Sequence, residues 1–203
     1  MISTCCPPNS ELLEAKVPQE DVGKLYDRTA WFYDIWASLT ESKAQKRAIE
    51  IAEVQNKTTI LDVAVGTGRL FRKIVKQNPD GKNYGIDISQ GMLAKAKMKL
   101  SKQENKIYSL EIGSAFDIRM DDGSVDILFN NYMFDLISFD QMDTLINEFL
   151  RALKPGGKLV LVNMTKAEQY GAGLYEGIYQ ISPTLMGGCR GVQMFDLLTE
   201  HGF

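Results

Sequence analysis

The sequence predicts an α/β chain folded as a three-layer, doubly wound, mostly parallel sheet. Three observations lead there. From about residue 57 onward, short apolar runs alternate with amphipathic stretches of helical length. Runs such as "VDILFN" (125–130) and "KLVLVN" (158–163) are apolar with little alternation, as expected of strands covered on both faces. The stretch "TTILDVAVGTGRLF" (58–71) is an apolar run that breaks into glycines and then turns amphipathic, so it reads as strand, tight turn and opening helix.

Taken in order, residues 1–19 form a flexible tail broken by Pro7-Pro8 and Val17-Pro18. A helical extension (20–56) follows. Its first part carries Val22, Leu25, Tyr26, Trp31, Phe32, Ile35 and Trp36; its second, about 41–54, has Ala44, Ala48, Ile51 and Ala52 at helical spacing. Strands are expected at 59–63, 83–87, 107–112, 125–130 and 157–163, with helices near 68–77, 90–101 and 141–152. Strands separated by helices imply right-handed crossovers and a parallel sheet. Residues 164–190, rich in breakers but carrying Tyr170, Tyr175, Tyr179 and Met186, read as a cap-like insert before a last helix in "GVQMFDLLTEHGF" (191–203). Residues 20–203 are thus expected to form a single domain.

Composition narrows the function classes. The 203 residues are 44% hydrophobic and 24% charged, with a net charge of −3 and no basic block, which argues against a dedicated nucleic-acid binder. No apolar run approaches the roughly 18–20 residues of a membrane span, and "MISTCCPPNS" lacks the pattern of a secretory signal. Three cysteines make no disulfide framework, so a cytoplasmic location is expected. No metal site is expected, because the cysteine spacing matches no zinc motif.

The glycine turn carries the chemistry. Gly66 and Gly68 let the backbone turn sharply and approach a ligand. A dinucleotide fingerprint would place Gly or Ala where this chain has Phe71, and no Gly-Lys-Ser/Thr follows as a phosphate loop would need. Asp62, at the end of the first strand, would repel a pyrophosphate and attract an ammonium group. The loop therefore suits a phosphate-free, cationic nucleoside ligand, of which S-adenosylmethionine is the common example. Asp87 ends the second strand, where a carboxylate can accept from ribose hydroxyls. Ile88 offers an apolar surface to adenine, Ser89 can cap the next helix, and Met92 lies one turn in.

These segments resemble the class I S-adenosylmethionine-dependent methyltransferases and, within them, the ubiquinone/menaquinone C-methyltransferase-like branch. "YDRTAWFYD" (26–34) resembles that branch's entry helix, "LDVAVGTG" (61–68) its glycine motif with Ala64 in place of the first glycine, and "GIDIS" (85–89) its ribose motif. "IGSAFDIRMDDGSVDILFNN" (112–131) resembles the adenine loop with the fourth strand, and "LKPGGKLVLVNM" (153–164) the turn into the fifth. The resemblance implies a Rossmann-like methyltransferase fold with S-adenosylmethionine as cofactor and S-adenosylhomocysteine as product.

Carried over position by position, the resemblance implies that Asp62 anchors the methionine ammonium. Ala64, Gly66, Thr67 and Gly68 would form the loop beside the methionine portion. Asp87 would hold the ribose, while Ile88 and Met92 would flank the nucleoside. Ser114, standing where the family has Asp, would face the adenine amine together with Ala115 and Phe116. Asn130 would lie near the transferred methyl, and Tyr33, with Tyr26 as a second candidate, would close over the cofactor. In that family two further strands follow the last helix. The resemblance therefore leaves a five-stranded sheet with an open edge, a shortened chain, or an edge covered by another chain, and a homodimer fits the last case.

Methyl transfer from a sulfonium is an in-line displacement that positioning alone can accelerate, in keeping with the lack of a visible acid–base constellation. His201 is expected to play a helix-terminal structural part, and no catalytic base is assigned. Asn131, Tyr132 and Asp135 follow the fourth strand and are candidates to face the acceptor. The aromatic insert with Trp31 and Phe32 suits a small apolar or aromatic acceptor, quinone-like or lipid-like. The alternatives are a non-catalytic S-adenosylmethionine-binding protein, a thiol or arsenite methyltransferase using Cys5, Cys6 and Cys189, and an NAD-dependent oxidoreductase, against which Phe71 counts.

Overall fold

The computed structural model describes residues 42–103, 107–163, 192 and 194–203. Tyr26, Tyr33, the remainder of the helical extension before residue 42, the insert 164–190 and all three cysteines lie outside them. The described elements are α1 (Ser42–Ala52), β1 (Thr59–Val63), α2 (Arg69–Gln77), β2 (Lys82–Asp87), α3 (Gln90–Leu100), β3 (Ser109–Ile112), β4 (Val125–Asn131), α4 (Phe139–Ala152), β5 (Leu153–Val162) and α5 (Phe195–Glu200). A short 3-10 turn, Phe134–Leu136, separates β4 from α4.

The strands pair in the order β3-β2-β1-β4-β5, every pairing parallel. Because side chains alternate along a strand, Ile60 of β1 joins Ile127 and Phe129 of β4 on one face. There α1 contributes Ala48, Ile49 and Ala52, and α2 contributes Leu70 and Ile74. Leu61, Val63 and Leu128 turn to the other face and pack under Leu145, Ile146 and Phe149 of α4. A third cluster locks α2 to α3 through Phe71, Val75, Leu93, Ala96 and Leu100. The helices α1, α2 and α3 thus cover one face of the sheet, and α4 with α5 the other.

Element boundaries differ from the sequence expectation chiefly at β5, expected from residue 157. Leu153 already pairs with Val125, and Ile127 next pairs with Lys158, so "KPGG" bulges out of the ladder between two paired stretches. Glycine and proline conceal such a start, since they neither look like strand nor complete a ladder. The last helix is also short, and His201 caps it: its Nδ1 lies 2.9 Å from the Leu197 carbonyl and its Nε2 3.5 Å from Asp143 of α4.

The strand order reverses between β1 and β4, so the carboxyl ends of these strands open a crevice where α/β sheets bind ligands. Three positive φ angles bend the chain there: Ala64 at 60°, Gly66 at 56° and Gly68 at 74°. Gly68 also lets α2 approach α3. A Cβ at this position would fall 2.9 Å from the Ala96 Cβ and 3.1 Å from Leu100 Cδ1. Gly68→Ala is therefore expected to lower stability by about 2 kcal/mol or more, through overpacking and left-handed strain together. In urea unfolding this should appear as a lower midpoint with an unchanged slope.

Candidate active site

A cleft opens at the carboxyl ends of β1, β2 and β4, with about 780 Å³ of free space when the solvent at its open mouth is counted. Val63, Ala64 and Gly66 form one wall, Asp87, Ile88 and Met92 a second, and residues 113–116 a third; Asn131, Tyr132, Met133, Leu136 and Ile137 close it. Of the residues predicted from sequence, Ala64, Gly66, Asp87, Ile88, Met92, Ser114, Ala115 and Phe116 all line this cleft. Ile88 is 50% exposed, an apolar side chain offered to whatever enters.

The walls are fixed by backbone hydrogen bonds. Asp87, almost fully buried, accepts from the Gly66 amide on Oδ2 at 2.7 Å and from the Ser89 amide on Oδ1 at 2.9 Å. The Ser89 hydroxyl in turn accepts from the Met92 amide at 3.1 Å, capping α3. On the third wall the Ser114 hydroxyl accepts from the Phe116 amide at 3.1 Å. That loop is tied to α4, because Glu148 accepts from the Ile118 amide at 2.8 Å while Arg151 donates to the Ile118 carbonyl and to Glu148 itself. The Arg151 guanidinium keeps the Glu148 carboxyl below its ordinary pKa, so this anchor stays charged.

A second, smaller cavity adjoins the first, sharing Ala64, Gly66, Asn131 and Tyr132 with it. Its remaining walls include Gln45 of α1, Asp62 of β1, and Thr67, Arg69 and Leu70 of the turn into α2. Asp62 points to the α1–α2 face, like Ile60 two residues earlier, and is 1% exposed. Buried polar atoms without a hydrogen-bond partner gather here: Asp62 Oδ1, Arg69 Nε and Asn131 Oδ1. Burial first, and then the Asp87 carboxylate, push the Asp62 carboxyl well above the usual carboxylate range. A cationic group arriving beside Asp62 would satisfy it, and an anionic group would satisfy Arg69. The cavity therefore fits the ammonium and carboxylate of an amino acid, as the methionine end of S-adenosylmethionine provides.

Some predicted residues fall elsewhere. Asn130 lines neither cavity; it is fully buried, and its Nδ2 donates to the Val63 carbonyl at 2.9 Å and lies 3.4 Å from Met133 Sδ. It therefore ties β4 to β1, while its neighbour Asn131 lines both cavities. Gly68 lines neither and serves the α2–α3 contact. Thr67 lines the smaller cavity, and its hydroxyl accepts from Lys99 Nζ at 2.7 Å. Asp135 is fully buried in the 3-10 turn and lines neither cavity.

Sequence reading missed Gln45 and Arg69. Arg69 did leave a signal, since a cation in the first turn of a helix opposes the helix dipole and so calls for some other reason to be there. Tyr132, at the junction of the two cavities, adopts a φ of 53°, a conformation that costs a bulky residue about 1–2 kcal/mol.

Comparison with known proteins agrees with this architecture. Residues 60–157 match the model of the methyltransferase domain family. That segment, slightly under half of the chain, carries a methyltransferase domain and resembles the class I S-adenosylmethionine-dependent methyltransferases. Within that class the chain is similar to the demethylmenaquinone methyltransferase of Lactobacillus johnsonii, at 32% identity over 76% of this chain and 65% of that protein. The malonyl-[acyl-carrier protein] O-methyltransferase 1 of Ilyobacter polytropus is 28% identical over 92% of this chain and 66% of its own length. The chain thus spans slightly under two thirds of the length of these relatives. Among solved structures, the [4+2]-cyclase SpnF superposes with a TM-score of 0.68 at 21% identity, over 79% of this chain and 65% of that one. The fold alone therefore does not select one reaction.

The sign of the Asp62 shift makes a test. Its carboxyl binds a proton more tightly in the ligand-free fold than in the unfolded chain. Its contribution to stability is thus fully present below the ordinary carboxylate pKa, near 4, and is lost as pH rises through the raised folded value. Asp62→Asn should flatten that decline and leave the ligand-free protein more stable than wild type at pH 7, read as urea midpoints across a pH series.

Proposed function

We propose that this chain transfers the methyl group of S-adenosylmethionine to a small apolar or aromatic acceptor of quinone type. The observation that carries the reading is the paired cavity. One part is a largely apolar open cleft; the other is small and polar, with a buried carboxylate and a buried guanidinium nitrogen unsatisfied. When bound, S-adenosylmethionine supplies an electrophilic methyl on a sulfonium. In this reading Asp62 and Arg69 hold the two charges of the amino-acid end, which fixes the direction of the molecule. Asp87 turns its remaining acceptor capacity to the ribose, and Ile88, Met92 and the 113–116 loop enclose the base. Asn131 and Tyr132 stand where the two cavities meet, the position from which an acceptor would be aligned.

A quinone-type acceptor is favoured by Met133, Leu136 and Ile137 on the cleft wall after β4 and by the name of the demethylmenaquinone methyltransferase relative. Carbon methylation of a hydroquinone ring forms a C–CH3 bond as the sulfonium S–CH3 bond breaks to leave S-adenosylhomocysteine, and the displaced ring proton passes to water. The ring's own hydroxyls push electron density to the attacking carbon, so the step asks chiefly for alignment. No histidine is required, and His201 is engaged at the end of α5.

Calorimetric titration with S-adenosylhomocysteine should give saturable one-to-one binding. Asp62→Ala and Arg69→Ala should each weaken it by about 10- to 100-fold, the worth of a charge-assisted hydrogen bond. Labelled S-adenosylmethionine with a demethylated menaquinone in detergent micelles should then give methylated quinone. Folded protein that binds no S-adenosylhomocysteine would reject the cofactor reading, and binding without transfer would reject the acceptor.

A further inference from the structure

The chain's charges are segregated by layer. Helices α1, α2 and α3, which cover one face of the sheet, carry Lys43, Lys46, Arg47, Arg69, Arg72, Lys73, Lys76, Lys95, Lys97 and Lys99, against a single acid, Glu50. On the opposite face α4 and α5 carry Asp140, Asp143, Glu148, Asp196 and Glu200 against a single base, Arg151. A protein of net charge −3 therefore has one strongly basic side. Lys43, Lys46, Arg47, Arg72, Lys76 and Lys97 of that side are exposed. Glu50 partners only Lys46 and Arg47 among the described ion pairs, so α2 and α3 present cations with no acid of their own. The crowding is felt inside the layer, where partial burial and the nearby Arg69 and Arg72 lower the pKa of Lys73. Self-repulsion of this kind opposes folding, and a counter-charged surface would relieve it.

We propose that the α1–α3 face docks this protein onto an anionic lipid surface, where an apolar acceptor resides. The inference rests on the quinone-type reading above, since such a molecule partitions into a bilayer and an enzyme must meet it there. The three helices lie side by side in one layer, so their cations are spread over one flank and suit a flat array of lipid phosphates. Two apolar side chains stand out from the same helices, Met98 at 60% and Ile51 at 56% exposure, and can enter the headgroup region. A nucleic acid fits less well. The only aromatic residue on these helices, Phe71, is fully buried, so among the described residues these helices offer no ring on which bases could stack.

The test is co-sedimentation of the full chain with phosphatidylcholine vesicles and with vesicles doped with phosphatidylglycerol. Binding should require the anionic lipid and be lost at about 0.5 M salt, where surface charges are screened. Reversing three exposed cations outside both cavities (Arg72→Glu, Lys76→Glu and Lys97→Glu together) should lower partitioning about a hundredfold, with S-adenosylhomocysteine binding retained. The milder Arg72→Gln, Lys76→Gln and Lys97→Gln set should move it in the same direction if the reversed protein does not fold. Equal binding to neutral vesicles, no binding to anionic ones, full binding by either variant set, or a preference for single-stranded oligonucleotide at matched charge would each overturn the proposal. Vesicle binding involves no turnover, so its failure is distinct from a failure to methylate quinone in micelles.

Discussion

Everything at the mouth of the sheet depends on where the Asp87 carboxylate sits. It ends β2, and its two oxygens take the Gly66 amide of the glycine turn and the Ser89 amide that leads into α3. Gly66 has a left-handed φ, so its amide faces away from any strand partner. Without Asp87 that half-buried donor would lose its protein partner. One side chain thus joins the ends of β1 and β2 and sets the spacing of two cleft walls. The same negative charge also reaches Asp62 and adds to the rise that burial imposes on that carboxyl's pKa.

This gives the site a stored electrostatic tension. Asp62 and Arg69 both place polar atoms in a common cavity without hydrogen-bond partners, and each carries a desolvation cost that folding alone does not return. Such groups persist where a ligand completes them, and the complement here is a zwitterion. Tyr132 and Ala64 add strain of another sort, since both keep left-handed backbone where the two cavities meet. Electrostatic cost and backbone strain coincide at the carboxyl end of the sheet; at the opposite end Glu53 and Lys57 also keep left-handed backbone, but the buried Asn78 and Asn83 side chains are paired. There the fully buried Asn78 donates to Asn83 and to the Thr58 carbonyl.

The frame that bears this tension is rigid for identifiable reasons. Asn130 binds the Val63 carbonyl across the strand switch, and Phe134 packs edge-to-face on Phe149 of α4, 5.9 Å between ring centres. Glu148 and Arg151 of the same helix hold the loop after β3. A helix on one face of the sheet therefore positions the third wall of the cleft. The helices on the other face carry the basic surface together with Gln45 and Arg69, so the polar cavity and the charged flank share their elements.

The sequence by itself determined the alternation of strands and helices, the glycine turn, the acidic ends of β1 and β2 and the cofactor class, because each is written in local spacing and residue type. Asp62 and Asp87 were legible as a pair for that reason. Tertiary structure decided what depends on distant partners. Asn130 and Asn131 are adjacent, yet alternation along β4 turns one into the sheet and leaves the other in the cavities. Gly68 looks like a ligand-loop glycine until Ala96 of α3 is seen against it. The early start of β5 is masked by glycine and proline that bulge from the ladder. Net charge gave −3 and no basic block; only the stacking of α1, α2 and α3 on one face gathers cations scattered over nearly sixty positions of chain into a single surface. Spacing along the chain fixes what each segment is, whereas the facing of side chains across a sheet fixes what they meet.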